Sequence, residues 1–151
     1  MQQNFRKMKR VQPLIKLRKS RVDEETAALM QIREEKQKAV KDLRESQQKY
    51  MRGVEELNRV RASQDRANLT TLEEALDAVK IHWYRLFKKV QEVENKEKVQ
   101  VSQLIVAERD LKSVENLEEK YSDKFKRIFL KQNRKLWMNS LLDVMQDVTN
   151  R

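Results

Sequence analysis

LEEALDAVKIHWYRLFKKVQEVENKEKVQVSQLIVAERDLKSVENLEEKYSDKFKRI, residues 72–128, decides the fold. Apolar residues recur in it at alternating steps of four and three: Leu72, Leu76, Val79, Trp83, Leu86, Val90, Val93, Leu104, Ala107, Leu111, Val114, Tyr121, Phe125 and Ile128. Seventeen positions belong to the series, and only Glu97, Gln100 and Glu118 break it. Such steps put every member on one stripe of an α-helix, and a sustained seven-residue repeat favours a left-handed supercoil. Between the stripe residues lie mostly Lys, Glu, Gln, Arg, Asn and Ser. A narrow stripe on an otherwise charged helix builds no globular core. It requires another helix to lie against.

The rest of the chain supplies that helix. From Ile15 a second series runs at intervals of seven through Val22, Leu29, Lys36, Leu43, Tyr50 and Leu57. Its companion positions Ile32, Ala39, Ser46, Gly53 and Val60 are smaller and more polar, so this seam is the weaker one. Gly53 is either the soft point of the helix, at about 1 kcal/mol against Ala, or a place where the helices approach closely. Pro13 suits the first turn of a helix or a kink after a short leading helix. The pattern lapses over Arg61–Asn68, and Thr70–Glu73 and Thr71–Glu74 both have capping-box spacing. A turn is therefore expected at 63–70, with helix over about 14–61 and 71–146.

A short connection makes two long helices antiparallel neighbours. Arg61 then faces Leu72, residue 50 faces about 83, and residue 5 faces about 128. The expected fold is all-α: a long antiparallel two-helix coiled coil, a single hairpin of first helix (1–62), turn (63–70), return helix (71–128) and C-terminal overhang (129–151). Each paired arm spans roughly 80–85 Å at about 1.5 Å per residue. Phe129, Leu130, Leu136, Trp137, Met138, Leu141, Leu142, Val144 and Met145 make the overhang the most apolar segment without a partner.

Composition agrees. The chain has 151 residues, 38% charged and 38% apolar, with one Gly, one Pro and no Cys. Tight turns and strands use Gly, Pro and β-branched runs far more, and a disordered chain keeps no heptad register. The absence of Cys excludes disulfides and favours an intracellular compartment. No apolar run reaches the roughly 18 residues of a membrane span, and the basic N-terminus lacks the apolar segment of a secretory signal. The expectation is a soluble, cytoplasmic chain.

Catalysis finds no foothold in this composition. One histidine, His82, stands without a second, and no Gly-rich loop is present to cradle phosphate. Glu34/Glu35, Glu55/Glu56 and Glu118/Glu119 fall on solvated helix faces. The expectation is no enzyme, no cofactor and no metal.

Two features go beyond what a plain coiled coil requires. The first is charge: residues 1–21 carry eight Lys and Arg and no acid, against a net +10 for the whole chain. Antiparallel pairing brings them beside Lys124, Lys126, Arg127, Lys131, Arg134 and Lys135. Such an end is either a solvated charge run or a contact for an acidic protein, an anionic membrane or nucleic acid. Nucleic acid is not expected, because no aromatic platform alternates with the cations. The second feature is the aromatic group Trp83, Tyr84 and Phe87, with Tyr50 on the facing helix. It spans more than one stripe, so it is either packing or a partner-binding spot.

The opening Asn4-Phe5-Arg6, then Val11, Leu14-Ile15-Lys16-Leu17-Arg18 and Val22-Asp23-Glu24-Glu25-Thr26-Ala27-Ala28, resembles the N-terminus of the flagellar export protein FliJ family. Arg109-Asp110-Leu111-Lys112-x-x-Glu115-x-Leu117-Glu118-Glu119-Lys120, then Phe125 and Leu142-Asp143, is similar to its latter half. Trp137-Met138-Asn139-Ser140-Leu141 departs from the family's highly charged tail. The resemblance implies a non-enzymatic central stalk of a type III export apparatus, similar to the γ stalk of rotary ATPases. Its partners would be a hexameric export ATPase, a membrane export gate subunit and export chaperones. Its place would be cytoplasmic, peripheral to the inner face of the cell membrane. On that reading Arg6, Lys9, Arg10, Lys16, Arg18, Lys124, Arg127 and Lys131 meet the ATPase ring. Tyr50, Trp83 and Tyr84 meet the gate, with Leu43, Leu76 and Val79 beside them as scaffold. The stalk of virulence injectisomes, of the YscO type, is the near alternative; a generic coiled-coil adaptor or spacer with a basic end for anionic surfaces is the other.

Overall fold

The computed structural model describes residues 2–63 and 66–150. Helix α1 runs Gln2–Ser63 and helix α2 runs Arg66–Thr149. They pack against each other as an all-α antiparallel helical hairpin, without a strand among the described residues. Cross-helix partners fix the direction, since partner numbers fall as α1 numbers rise. Gln12 bonds Glu118 and Arg18 bonds Asp110 in one compact unit, formed by residues 1–24 and 105–151. In the second unit, residues 25–104, Lys36 pairs with Glu97, Tyr50 with Trp83 and Arg61 with Glu73.

Burial follows the four-three steps. All seventeen α2 positions from Leu72 to Ile128 are buried or half-buried, the three polar ones included. In the terminal unit Val11, Ile15 and Val114 form a buried cluster, with Leu111 and Tyr121 packed on it. In the other unit Leu29, Ala39, Leu57, Val90 and Val93 are buried. Each fully buried Val or Leu contributes roughly 1.5–3 kcal/mol. Small residues let the axes approach: Ala107 is 1% exposed and Ala39 2%.

The breaks in the seam are paired across it. Glu97 meets Lys36, the one charged member of the seven-residue series in α1, at 3.3 Å. Buried Gln100 donates from Nε2 to the Glu25 backbone oxygen at 3.0 Å and to the Glu25 carboxylate. Glu118 accepts from Gln12 at 2.7 Å. A polar seam position costs stability and specifies register, because any slip separates it from its partner. We expect Lys36→Glu, which sets two half-buried carboxylates together, to lower stability by about 1 kcal/mol. The exchange Lys36→Glu/Glu97→Lys is expected to restore most of it, as read from urea melts of the four-member cycle.

Gly53 is a close approach. A Cβ there would lie 2.7 Å from Leu76 Cδ1. Gly53→Ala therefore gains helix propensity of about 1 kcal/mol but must displace the Leu76 side chain. We expect the gain to show in full only in a Leu76→Ala background, where thermal melts of the two single variants and the double variant reveal the coupling.

Helix ends depart from the sequence reading. Helix α2 begins at Arg66 rather than 71, so residues 66–70 of the expected turn are helical, and Thr70 and Thr71 lie inside the helix rather than capping it. Half-buried Leu69 extends the seam one step before Leu72, which gives this turn of helix a packing partner. Gln64 and Asp65 of that turn lie outside the described residues. Helix α1 runs through Pro13. Proline removes one backbone hydrogen bond, while buried Val11 and Ile15 on either side hold the segment against Val114.

Candidate functional site

Two surfaces gather the side chains that the sequence singles out, one in each unit. The first is basic. Residues 1–24 and 105–151 carry 18 Lys and Arg against 10 Asp and Glu, a net +8 of the chain's +10. The N-terminal turns of α1 lie against α2 through ring contacts: Phe5 and Phe125 have centroids 5.6 Å apart, and Phe125 stacks on Phe129 at 6.2 Å. Lys7 Nζ sits 5.8 Å from the Tyr121 ring and Lys9 Nζ 4.8 Å from Phe5. These aromatics fix the backbone from which the cations project. Arg6, Lys9, Arg10, Lys16, Lys124, Arg127 and Lys131 are all exposed.

Arg18 is different. It occupies a half-buried seam position and donates to Asp110 at 3.4 Å, with Arg21 also 3.7 Å from that carboxylate. Its Nε is buried without a partner among the described residues. Arg18 is thus a structural member of the seam, not a projecting cation as the sequence reading had it. That reading counted Arg18 with its basic neighbours and missed that it falls seven residues after Val11, on the buried stripe.

The aromatic group divides in two. Tyr50 and Trp83 stack across the helices, centroids 5.5 Å apart and planes 27° apart, and both are half-buried. Leu43, Leu76 and Val79 are half-buried on the same seam. Tyr84 and Phe87 instead face outward, 58% and 45% exposed. Ile81, 55% exposed, joins them, and Lys88 Nζ lies 4.8 Å from the Tyr84 ring. The outer patch is thus Ile81, Tyr84 and Phe87, rimmed by Lys80, Arg85 and Lys88 around an open apolar groove that Trp83 also lines. Sequence reasoning missed Ile81, although its spacing of three from Tyr84, off the seam, was legible.

His82 is exposed, and it shares an open groove with Asp42, Glu45 and Lys49. Among the described residues no group of three or more His, Cys, Asp or Glu is placed to hold a metal ion. No helix among the described residues is long and apolar enough to cross a membrane. Both surfaces are suited to binding: one by Coulombic attraction, the other by amphipathic rings ordered at little entropy cost. No protein-family model matches the chain, and neither a curated protein nor a solved structure is significantly similar to it.

Proposed function

We propose that this chain is a non-enzymatic central stalk and chaperone escort in a type III protein export apparatus of the flagellar kind. It would work in the cytoplasm at the inner face of the cell membrane, linking a hexameric export ATPase to the membrane export gate. The observation that carries this reading is an antiparallel hairpin with a division of labour. One unit, holding both terminal segments, is strongly basic, and the other presents an outward aromatic patch. A stalk needs a helical pair narrow enough to enter a ring, a charged end for the ring and a distinct contact for the gate. The N-terminal and Arg109–Lys120 resemblance to the FliJ family supports the same assignment.

Arg6, Lys9, Arg10, Lys16, Lys124, Arg127 and Lys131 are the proposed ring contacts. Tyr84 is the proposed gate contact, with Phe87 and Ile81 beside it, while Tyr50 and Trp83 hold the patch from within. Purified protein mixed with the export ATPase and the cytoplasmic part of the gate subunit tests this reading in a pull-down. Capture of both partners supports it; capture of neither rejects it. The exposed apolar overhang favours one second reading, a coiled-coil spacer that meets anionic surfaces through its basic unit. The same pull-down with injectisome partners separates the flagellar assignment from the virulence one.

A further inference from the structure

Past Ile128 the α2 helix changes character. The four-three steps of the hairpin seam continue to Gln132, Lys135, Asn139, Leu142 and Gln146, and Leu142 is the one apolar member. The face that paired with α1 thus turns polar. A new series takes over at Leu130, Arg134, Trp137, Leu141, Val144 and Val148, again in steps of four and three. Two residues of offset is about 160° around the helix, so the new face looks away from the old one. Met138 and Met145 widen it, and every residue from Phe129 to Asn150 is exposed. Trp137 is 65% exposed and Met145 65%.

We propose that this face docks on an anionic lipid bilayer, with residues 129–148 lying in the plane of its interface. The proposal does not depend on the export reading. Width is the first argument: with the methionines the apolar arc, interrupted by Arg134 alone, exceeds the narrow stripe that serves a single helical partner in the hairpin itself. Charge is the second. Lys131, Arg134 and Lys135 cluster in the first turns of the segment, inside a unit of net +8. That charge repels a second copy and attracts anionic headgroups. Side-chain type is the third, since Trp sits at the headgroup boundary while Lys and Arg stems lie along apolar surface and lift their charges into water. The segment crosses nothing, in keeping with the lack of any membrane-spanning helix among the described residues.

Full-length protein is sedimented with vesicles of phosphatidylcholine alone or with added phosphatidylglycerol, and tryptophan emission is recorded. The expected result is binding to the anionic vesicles only, weakened by salt, with a blue shift in emission. Trp137→Phe is expected to bind and to lose the shift, because Trp83 is half-buried in the hairpin seam. Trp137→Ser/Leu141→Ser/Val144→Ser touches only exposed residues, stays helical by circular dichroism and binds about tenfold or more weakly. Lys131→Glu/Arg134→Glu/Lys135→Glu also weakens binding. Three results overturn the proposal: no binding to anionic vesicles at low salt, binding that the serine variant leaves unchanged, or a dimer in sedimentation equilibrium that the serine variant dissociates while vesicles are ignored. In the last case a second copy covers the face.

Discussion

Trp83→Ala is expected to lower the stability of the hairpin by about 2–3 kcal/mol and to weaken the proposed binding to an export gate subunit as well. The residue is half-buried on the seam and stacked on Tyr50, so truncation removes a cross-helix ring pair and leaves a gap between the helices. Tyr50→Ala loses the same stack with a smaller side chain, at about 1–2 kcal/mol. Tyr84→Ala/Phe87→Ala is the contrasting variant. Both rings face outward, 58% and 45% exposed, and neither belongs to the seam, so stability stays within about 1 kcal/mol. Gate binding and export should nevertheless fall sharply in that variant. Thermal melts and a binding titration on the three variants separate support from contact. Equal loss of stability in all three, or gate binding untouched by the Tyr84/Phe87 pair, would reduce the aromatics to packing.

The second large effect is expected at the basic unit. Arg10, Lys16 and Arg127 are exposed and make no cross-helix ion pair among the salt bridges described. Reversing all three to Glu changes the local charge by six units without touching the seam. Circular dichroism should remain helical, while association with the export ATPase, and any stimulation of it, falls about tenfold or more through lost electrostatic complementarity. Arg18 must be left out of such a set. Its pairing with Asp110 makes a fold defect and a binding defect indistinguishable. Unchanged association near physiological salt would place the ring contact elsewhere.

The fold was legible because one physical constraint repeats. A helix that buries one stripe against one partner must space its apolar residues by four and three, and Leu72–Ile128 does so over about eight heptads. Register was legible only to about one helical turn: Tyr50 faces Trp83 as counted back from Arg61 and Leu72, but Phe5 meets Phe125 rather than residue 128 and Gly53 meets Leu76, because the turn falls nearer α1 than the expected 63–70. The helix ends were not. Residues such as Arg66, Ala67 and Leu69 are good helix formers whether or not they pack, so capping signals at Thr70 and Thr71 competed with nothing visible in the sequence. Polar seam members were the other blind spot. Glu25 and Arg18 look like solvated charges until their partners Gln100 and Asp110 are known, and Lys36, legible as a seam position, shows its pairing with Glu97 only in the structure. The aromatic patch was half legible, because adjacency in sequence groups Trp83 with Tyr84 although one helical step of about 100° sends them to different faces.

Co-migration of the purified chain with the hexameric export ATPase tests the central claim most directly. The two proteins are run together by analytical gel filtration at low and near-physiological salt, with wild type and the Arg10→Glu/Lys16→Glu/Arg127→Glu variant in parallel. The stalk reading predicts that wild type elutes with the hexamer at both salt concentrations and that the variant elutes alone. Separate elution of wild type at both salt concentrations would contradict it.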